Sequence, residues 1–120
     1  MAWPGTLETI EEVDIETRGG ADAPVHRTTI WPVVEEGEVY VRSLRGKSGR
    51  WYRELMANPS AVLHADGESI PVRATAAADA ESVERATAGF RRKYGDSPYV
   101  DSMIREEILD TTVRLEPREA

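Results

Sequence analysis

The stretch Arg42–Arg53 is the part of this sequence best suited to hold an anion. It reads R-S-L-R-G-K-S-G-R-W-Y-R, with five basic residues, no acidic residue and an aromatic pair near its end. The whole chain has a formal net charge of −7, so the other 108 residues carry −12, since this stretch alone carries +5. Glycine lets a backbone approach a ligand closely and serine adds a hydroxyl, so we expect a small phosphate-like group here.

A helix predicted over Gly49–Asn58 begins directly after this basic loop. Its first N–H groups and its positive dipole end point toward the loop, where they add to Arg45, Lys47 and Ser48 as phosphate partners. The competing interpretation is a solvated basic loop that pairs with neighbouring acids. The sequence leaves these two interpretations evenly balanced.

The aromatic pair admits two interpretations as well. Trp51 either stacks on a flat ring beside the phosphate or packs into the core with Leu55, one helical turn on, and we favour the core. Tyr52 is then the residue that faces the ligand.

The chain upstream of the loop predicts a β-hairpin, in which Val25–Val34 pairs with Val39–Leu44 around Glu36-Gly37. That turn sets a register in which the facing pairs are Trp31 with Arg42, Thr29 with Leu44, and Thr28 with Arg45. The segment His26–Thr29 would then lie beside the start of the basic loop, so the two segments could converge on one ligand.

The remaining sequence predicts short strands joined by tight turns, with two or three helices. The predicted strands are Val13–Thr17, Ala61–Ala65, Ser69–Ala74 and Thr111–Leu115, and Asp66-Gly67 predicts a two-residue hairpin turn between the second and third of these. A helical turn is predicted after Thr6 as its N-cap, a helix is predicted with Asp79 as its cap, and a further helix is predicted over Tyr99–Leu109. Six short strands favour closure into a small barrel, because open sheet edges invite aggregation. We therefore expect a mainly β, α+β fold with a mostly antiparallel sheet.

Composition excludes several classes of protein. The 120 residues predict a single domain over 1–120, and the absence of cysteine removes disulfides and thiolate chemistry. A pI near 4.9 argues against nucleic-acid binding.

No apolar run approaches the roughly 20 residues of a membrane span, and no signal peptide is visible, so we expect a cytoplasmic protein. His26 and His64 lack an acidic cluster at ligand spacing, so no metal site is predicted.

The sequence supplies little chemistry of its own. Gly46-Lys47-Ser48 resembles the end of a P-loop, but Val41 stands where that motif needs its first glycine. No serine lies in a G-x-S-x-G motif, and the sequence assigns no serine to a particular histidine partner. Among weak candidates for an acid–base residue, Tyr52 is the best. The catalytic residues are therefore unknown, and an enzyme of this sequence would depend on a bound cofactor.

The residues after the loop resemble a known signature. They read R-W-Y-R-E-L-M-A-N-P over Arg50–Pro59, A-V-L-H-A-D-G over Ala61–Gly67, and I-P-V-R-A over Ile70–Ala74. This resembles the W-Y-x-N-L-x-A-N-P … V-x-V-x-x-G … P-V-x-A signature of the deazaflavin-dependent nitroreductase group, within the split β-barrels like pyridoxamine-phosphate oxidase. Arg27-Thr28 matches that group's R-T-P segment. The chain looks closest to a small branch of unknown function.

The resemblance implies a six-stranded, FMN-binding-like split barrel that forms a homodimer, with a flavin or deazaflavin at the subunit interface. It implies an oxidoreductase that transfers hydride to or from an unknown small molecule. The alternatives are a non-catalytic ligand-binding module and a dimer whose cofactor site has decayed. The cofactor-binding residues carried over are Arg27, Thr28, Ser43, Arg45, Lys47, Ser48, Gly49, Trp51 and Tyr52.

Two departures from the pattern bear on the cofactor. Thr29 stands where the group usually has proline, and the loop Leu44–Arg50 looks shorter than in the deazaflavin enzymes. A shorter loop leaves less room for a long phosphorylated tail. FMN, another planar ligand, or no cofactor therefore stand beside the deazaflavin as alternatives.

Overall fold

A computed structural model describes residues 3–118 as one antiparallel sheet with helices packed on part of it. The strands are β1 Val13–Thr17, β2 His26–Ile30, β3 Val33–Glu35, β4 Glu38–Val41, β5 Ser60–Ala65, β6 Glu68–Ala76 and β7 Val113–Pro117. The helices are α1 Arg50–Ala57, α2 Ala80–Tyr94 and α3 Val100–Ile104, with 3-10 turns at Gly5–Glu8, Gly46–Ser48 and Glu106–Thr111. The order across the sheet is β2-β1-β5-β6-β7-β4-β3.

The two edge strands of this sheet, β2 and β3, are consecutive in the chain. Only Trp31 and Pro32 separate them, and so short a connection spans at most about 10 Å. The end of β2 and the start of β3 therefore lie close together, so the sheet curls into a half-barrel although its two edges are not paired. Pro32 also explains why the described chain has seven strands where six were predicted: proline lacks an N–H for the ladder, and it divides the predicted strand Val25–Val34 in two.

Both predicted two-residue turns are present. Glu36 and Gly37 have φ of 51° and 79°, and Asp66 and Gly67 have φ of 51° and 78°, the left-handed values of a type I′ hairpin. Val34 pairs with Val39, as the first turn predicts.

The predicted pairing fails beyond Pro32. Strand β2 pairs with β1 instead, with Thr28 opposite Ile15 and Thr29 opposite Asp14. The predicted facing of Trp31, Thr29 and Thr28 with Arg42, Leu44 and Arg45 is therefore wrong.

Two clusters of apolar side chains hold the fold together. One fills the inside of the half-barrel, and Trp51 and Leu55 of α1 belong to it. The other lies on the outside of β3 and β4, where α2 and α3 cover the sheet with Ala86, Phe90 and Met103. None of the helices in residues 3–118 is long and apolar enough to cross a bilayer.

The helix boundaries follow the sequence in part. The Asp79 side chain accepts a hydrogen bond from the Ser82 N–H at 3.1 Å, so the predicted cap of α2 is confirmed. The helical turn near the N-terminus begins after Pro4, and Thr6 lies inside it and does not cap it. The helix predicted over Tyr99–Leu109 is divided into α3 and a 3-10 turn.

Candidate functional site

A cavity of about 630 Å³ opens where β2, the loop after β4, the start of α1 and α3 meet. This volume lies within the roughly 300–1,000 Å³ of typical small-molecule sites. Its charged lining consists of Arg42, Arg45 and Arg50 against a single acid, Glu12. The cavity is therefore electropositive although the chain as a whole is acidic.

Arg45 and Arg50 are the exposed positive charges of this cavity. Both are exposed, and neither side chain has a hydrogen-bond or ion-pair partner among residues 3–118. An unpaired guanidinium keeps its full set of N–H donors for a ligand, and its planar fork matches a phosphate or carboxylate. These two residues form what we call the arginine pair.

Five of the nine residues predicted to bind the cofactor lie in the cavity wall: Thr28, Ser43, Arg45, Gly49 and Trp51. Thr28 and the basic loop thus do converge, although through the curl of the sheet and not through the expected hairpin. Arg42 and Arg50, the other two lining arginines, belong to the basic stretch but were not among the predicted ligands.

Arg27, Lys47, Ser48 and Tyr52, the other four predicted residues, lie outside the cavity lining. The Arg27 guanidinium instead pairs with Asp14 at 3.1 Å.

The other three have partners in the loop or the core. The Lys47 ammonium pairs with Asp110 at 3.0 Å, and this contact raises the pKa of Lys47. The Ser48 hydroxyl donates to the Arg45 carbonyl at 2.9 Å. Tyr52 packs edge-on against Trp51, with ring centroids 6.4 Å apart.

The loop that carries Arg45 is held by short-range contacts. The buried Ser43 hydroxyl donates to the Gly46 carbonyl at 2.7 Å, while the Ser43 N–H donates to the Thr111 hydroxyl at 3.1 Å. Gly46 has φ of +67°, a left-handed conformation that favours glycine. A Cβ at Gly49 would collide with the Ser43 hydroxyl, so no side chain is tolerated there without movement of the loop.

Arg42 anchors the cavity wall from inside the protein. Its side chain is 2% exposed, and its guanidinium donates to the Thr112 hydroxyl at 2.8 Å and the Met103 carbonyl at 3.1 Å. It also donates to the Val83 carbonyl and the Thr87 hydroxyl, both at 2.9 Å. All four acceptors are neutral. Burial lowers the pKa of Arg42 to about 10, so the group remains charged at neutral pH.

Sequence reasoning missed two aromatic residues of the cavity. Tyr99 is 66% exposed at the cavity mouth, beside Leu44, which is 51% exposed. Trp31 lines the cavity and stacks on Tyr94, with ring centroids 4.2 Å apart. Tyr99 lies far from the basic stretch in the sequence, and no local pattern links the two.

The sequence matches a family model described as "Uncharacterized protein conserved in bacteria (DUF2255)" over residues 5–115. The chain belongs to this family. Among curated proteins, none matches the sequence.

Several solved structures share the fold at low sequence identity. An F420-H2 dependent reductase, FDR-A, has a TM-score of 0.67 at 17% identity, covering 88% of this chain and 94% of the other. HutZ, the heme storage protein of Vibrio cholerae, has a TM-score of 0.67 at 12% identity, covering 97% and 87%. A candidate pyridoxamine 5′-phosphate oxidase of Listeria innocua has a TM-score of 0.66 at 14% identity, covering 96% and 90%.

These similarities establish the fold of this DUF2255 member. Its half-barrel has the split-barrel fold of these structures, so the predicted fold class is confirmed. Two further similar structures are longer proteins, of which this chain covers 50% and 51%.

Proposed function

We propose that this protein binds a flavin or deazaflavin cofactor in the cavity and acts as an oxidoreductase by hydride transfer on a small molecule. The observation that carries the proposal is the arginine pair, two unpaired guanidinium groups in the wall of a cavity of about 630 Å³. An anionic ligand would satisfy both guanidinium groups without disturbing any existing ion pair.

The anionic end of the cofactor is proposed to lie between Arg45 and the start of α1. The N–H groups at the start of α1 add donors there, and Gly49 allows the backbone to approach. Thr28 and Ser43 supply hydroxyl oxygens in the same wall, although the Ser43 hydrogen already goes to Gly46. The direct ligands proposed here do not include Arg27, Lys47, Ser48 and Tyr52, because these residues lie outside the cavity lining.

The ring end is proposed to lie toward Trp31 and Tyr99. Both residues line the cavity and have aromatic side chains, and Tyr99 is exposed. A bound flavin or deazaflavin supplies the hydride chemistry. The protein orients the ring and stabilises negative charge through its arginines, and no side chain is assigned as an acid or base.

A second copy of the chain is proposed to complete the site. Leu44 and Tyr99 leave apolar surface exposed at the cavity mouth, and a homodimer would cover it. Sedimentation equilibrium at micromolar protein tests this part of the proposal, and a monomer at every concentration would refute it.

The test of cofactor binding is a visible absorption spectrum of the purified protein, followed by titration with FMN and with the deazaflavin F420. We expect micromolar binding of at least one of them. The double variant Arg45→Ala/Arg50→Ala should bind at least ~10-fold more weakly, and the difference should shrink at high salt because the contact is charged. The matched control is Arg53→Ala/Arg73→Ala, which removes two exposed, unpaired arginines outside the cavity lining.

Four outcomes test the proposed function and the position of the site. Binding followed by turnover with a reductant supports the oxidoreductase. Binding without turnover by any electron donor points to the non-catalytic ligand-binding module. If neither cofactor binds, the ligand proposal fails, and if the control pair weakens binding as much as the arginine pair, the site lies elsewhere.

A further inference from the structure

The structure brings together a serine, a histidine and a glutamate on the outer face of the sheet, away from the cavity. The Ser69 hydroxyl oxygen lies 3.1 Å from Nδ1 of His64, and Nε2 of His64 lies 2.9 Å from a carboxylate oxygen of Glu16. His64 and Ser69 face each other across the β5–β6 hairpin, and Glu16 comes from the neighbouring strand β1. None of the three lines the cavity.

The two contacts of His64 select one tautomer of the neutral imidazole. A carboxylate only accepts, so the neutral His64 carries its proton on Nε2 and leaves Nδ1 as an acceptor. The Ser69 hydroxyl must then donate to Nδ1, which is the polarity that makes a serine nucleophilic. The roles of the two ring nitrogens are exchanged relative to the usual serine hydrolase arrangement, but the proton path is the same.

Neighbouring groups leave this chain of bonds intact. Asp14, the β1 carboxylate directly opposite His64 in the ladder, already accepts from Arg27 at 3.1 Å and from the Thr29 hydroxyl at 2.8 Å. Side-chain exposure is 20% for His64 and 30% for Glu16, so the pair is partly shielded from water, while Ser69 is exposed to an incoming substrate.

The second histidine lacks a serine. Nδ1 of His26 lies 2.8 Å from a carboxylate oxygen of Glu54. The Thr17 hydroxyl donates a hydrogen bond to the same carboxylate and not to the imidazole ring.

We propose that Ser69 is a nucleophile that is acylated by small, reactive carboxylic esters. Its oxygen attacks the ester carbonyl carbon while its proton passes to Nδ1 of His64. The bond from the carbonyl carbon to the alcohol oxygen then breaks, and the alcohol leaves with that proton. Water hydrolyses the acyl-serine by the same route and releases the carboxylic acid. Because Ser69 lies on an open face, we expect short acyl groups.

The test uses p-nitrophenyl acetate as the probe, with p-nitrophenolate release followed by absorbance and the acetylated residue located by peptide mass spectrometry. We expect one acetyl group on Ser69, and no acetylation at this position in Ser69→Ala. His64→Gln should slow acylation by at least ~100-fold, the size of a general-base contribution, and Glu16→Gln by roughly 10-fold.

Ser60→Ala is the matched control, since Ser60 lies on the same face of β5 as His64. It should be acetylated on Ser69 at the native rate. Acetylation confined to lysines or the N-terminus, or a native rate in folded His64→Gln as judged by circular dichroism, would overturn the proposal. Cofactor binding in the cavity is not required for any of these results.

Discussion

Replacing Arg42 by lysine should destabilise the protein strongly, although charge is conserved. The guanidinium makes four hydrogen bonds from one planar group, to Thr112, Met103, Val83 and Thr87. An ammonium group at the end of a flexible chain cannot reach acceptors on so many sides. The variant therefore still pays the desolvation penalty of a buried charge, but it loses some of the hydrogen bonds that compensate for that penalty.

The size of the effect follows from the bonds lost. If lysine keeps two of the four bonds, two charge-assisted bonds disappear, each contributing about 1.5–3 kcal/mol. Relaxation of the surroundings and entry of water recover part of this, which leaves a net loss of about 3 kcal/mol in the free energy of unfolding. For a domain of 120 residues this corresponds to a fall in Tm of roughly 12 °C.

Urea unfolding followed by circular dichroism measures the free energy, and a thermal melt measures Tm. The control is Arg73→Lys, an exposed arginine with no partner among residues 3–118, which should stay within about 0.5 kcal/mol of the native protein. If Arg42→Lys loses less than about 1 kcal/mol, the fork geometry is not what stabilises this site.

Two further predictions concern groups near the cavity and the sheet edge. Burial, with a smaller contribution from Arg92, lowers the pKa of Lys93 from 10.5 to about 8. Between pH 8 and 10 the unfolded chain therefore binds the proton that the folded protein has lost. The free energy of unfolding should rise by about 1–2 kcal/mol over this range, after allowance for partial exposure. Urea unfolding should show this rise in the native protein and not in Lys93→Met; parallel pH profiles would contradict it. Gly49→Ala should lower the free energy of unfolding by about 1–3 kcal/mol, because the new methyl group collides with the Ser43 hydroxyl. Gly19→Ala has space for its methyl group and serves as the control, and equal urea midpoints for both variants would refute the reasoning.

Local signals in the sequence predicted the local structure well. Glu36-Gly37 and Asp66-Gly67 predicted two hairpin turns, which the structure has as type I′, and Asp79 predicted the start of α2. Each of these features depends on residues within a few positions of one another. The break at Pro32 is local in the same way, since proline interrupts a strand wherever it occurs. The pairing of β2 with β1 is not local, because it depends on the curl of the whole sheet.

The candidate site was harder to predict because its residues come from distant parts of the chain. Arg42 belongs to a basic stretch, and a side chain in such a stretch is expected to be solvated. It is buried instead, because it lies on the same face as Tyr40, two residues before it, and the helices cover that face. By sequence, Lys47 and Arg27 are as well suited to bind an anion as Arg45 is. In the fold, however, Lys47 pairs with Asp110 and Arg27 pairs with Asp14. Composition shows that a loop is basic, but only the fold shows which of its charges are already paired.

The position of β7 has a consequence for the synthesis of this protein. Strands β2, β1, β5 and β6 form one hydrogen-bonded group and β4 and β3 another, and in residues 3–118 it is β7 that joins them. Val41 of β4 cannot pair with β7 until Val113 has been synthesised, which happens roughly 4–14 s after Val41 is added. Until then the open edges of β4 and β6 are exposed to other nascent chains. The cavity takes its walls from both groups, so a partly synthesised chain cannot yet form it. Ligand binding would therefore distinguish finished molecules from incomplete ones.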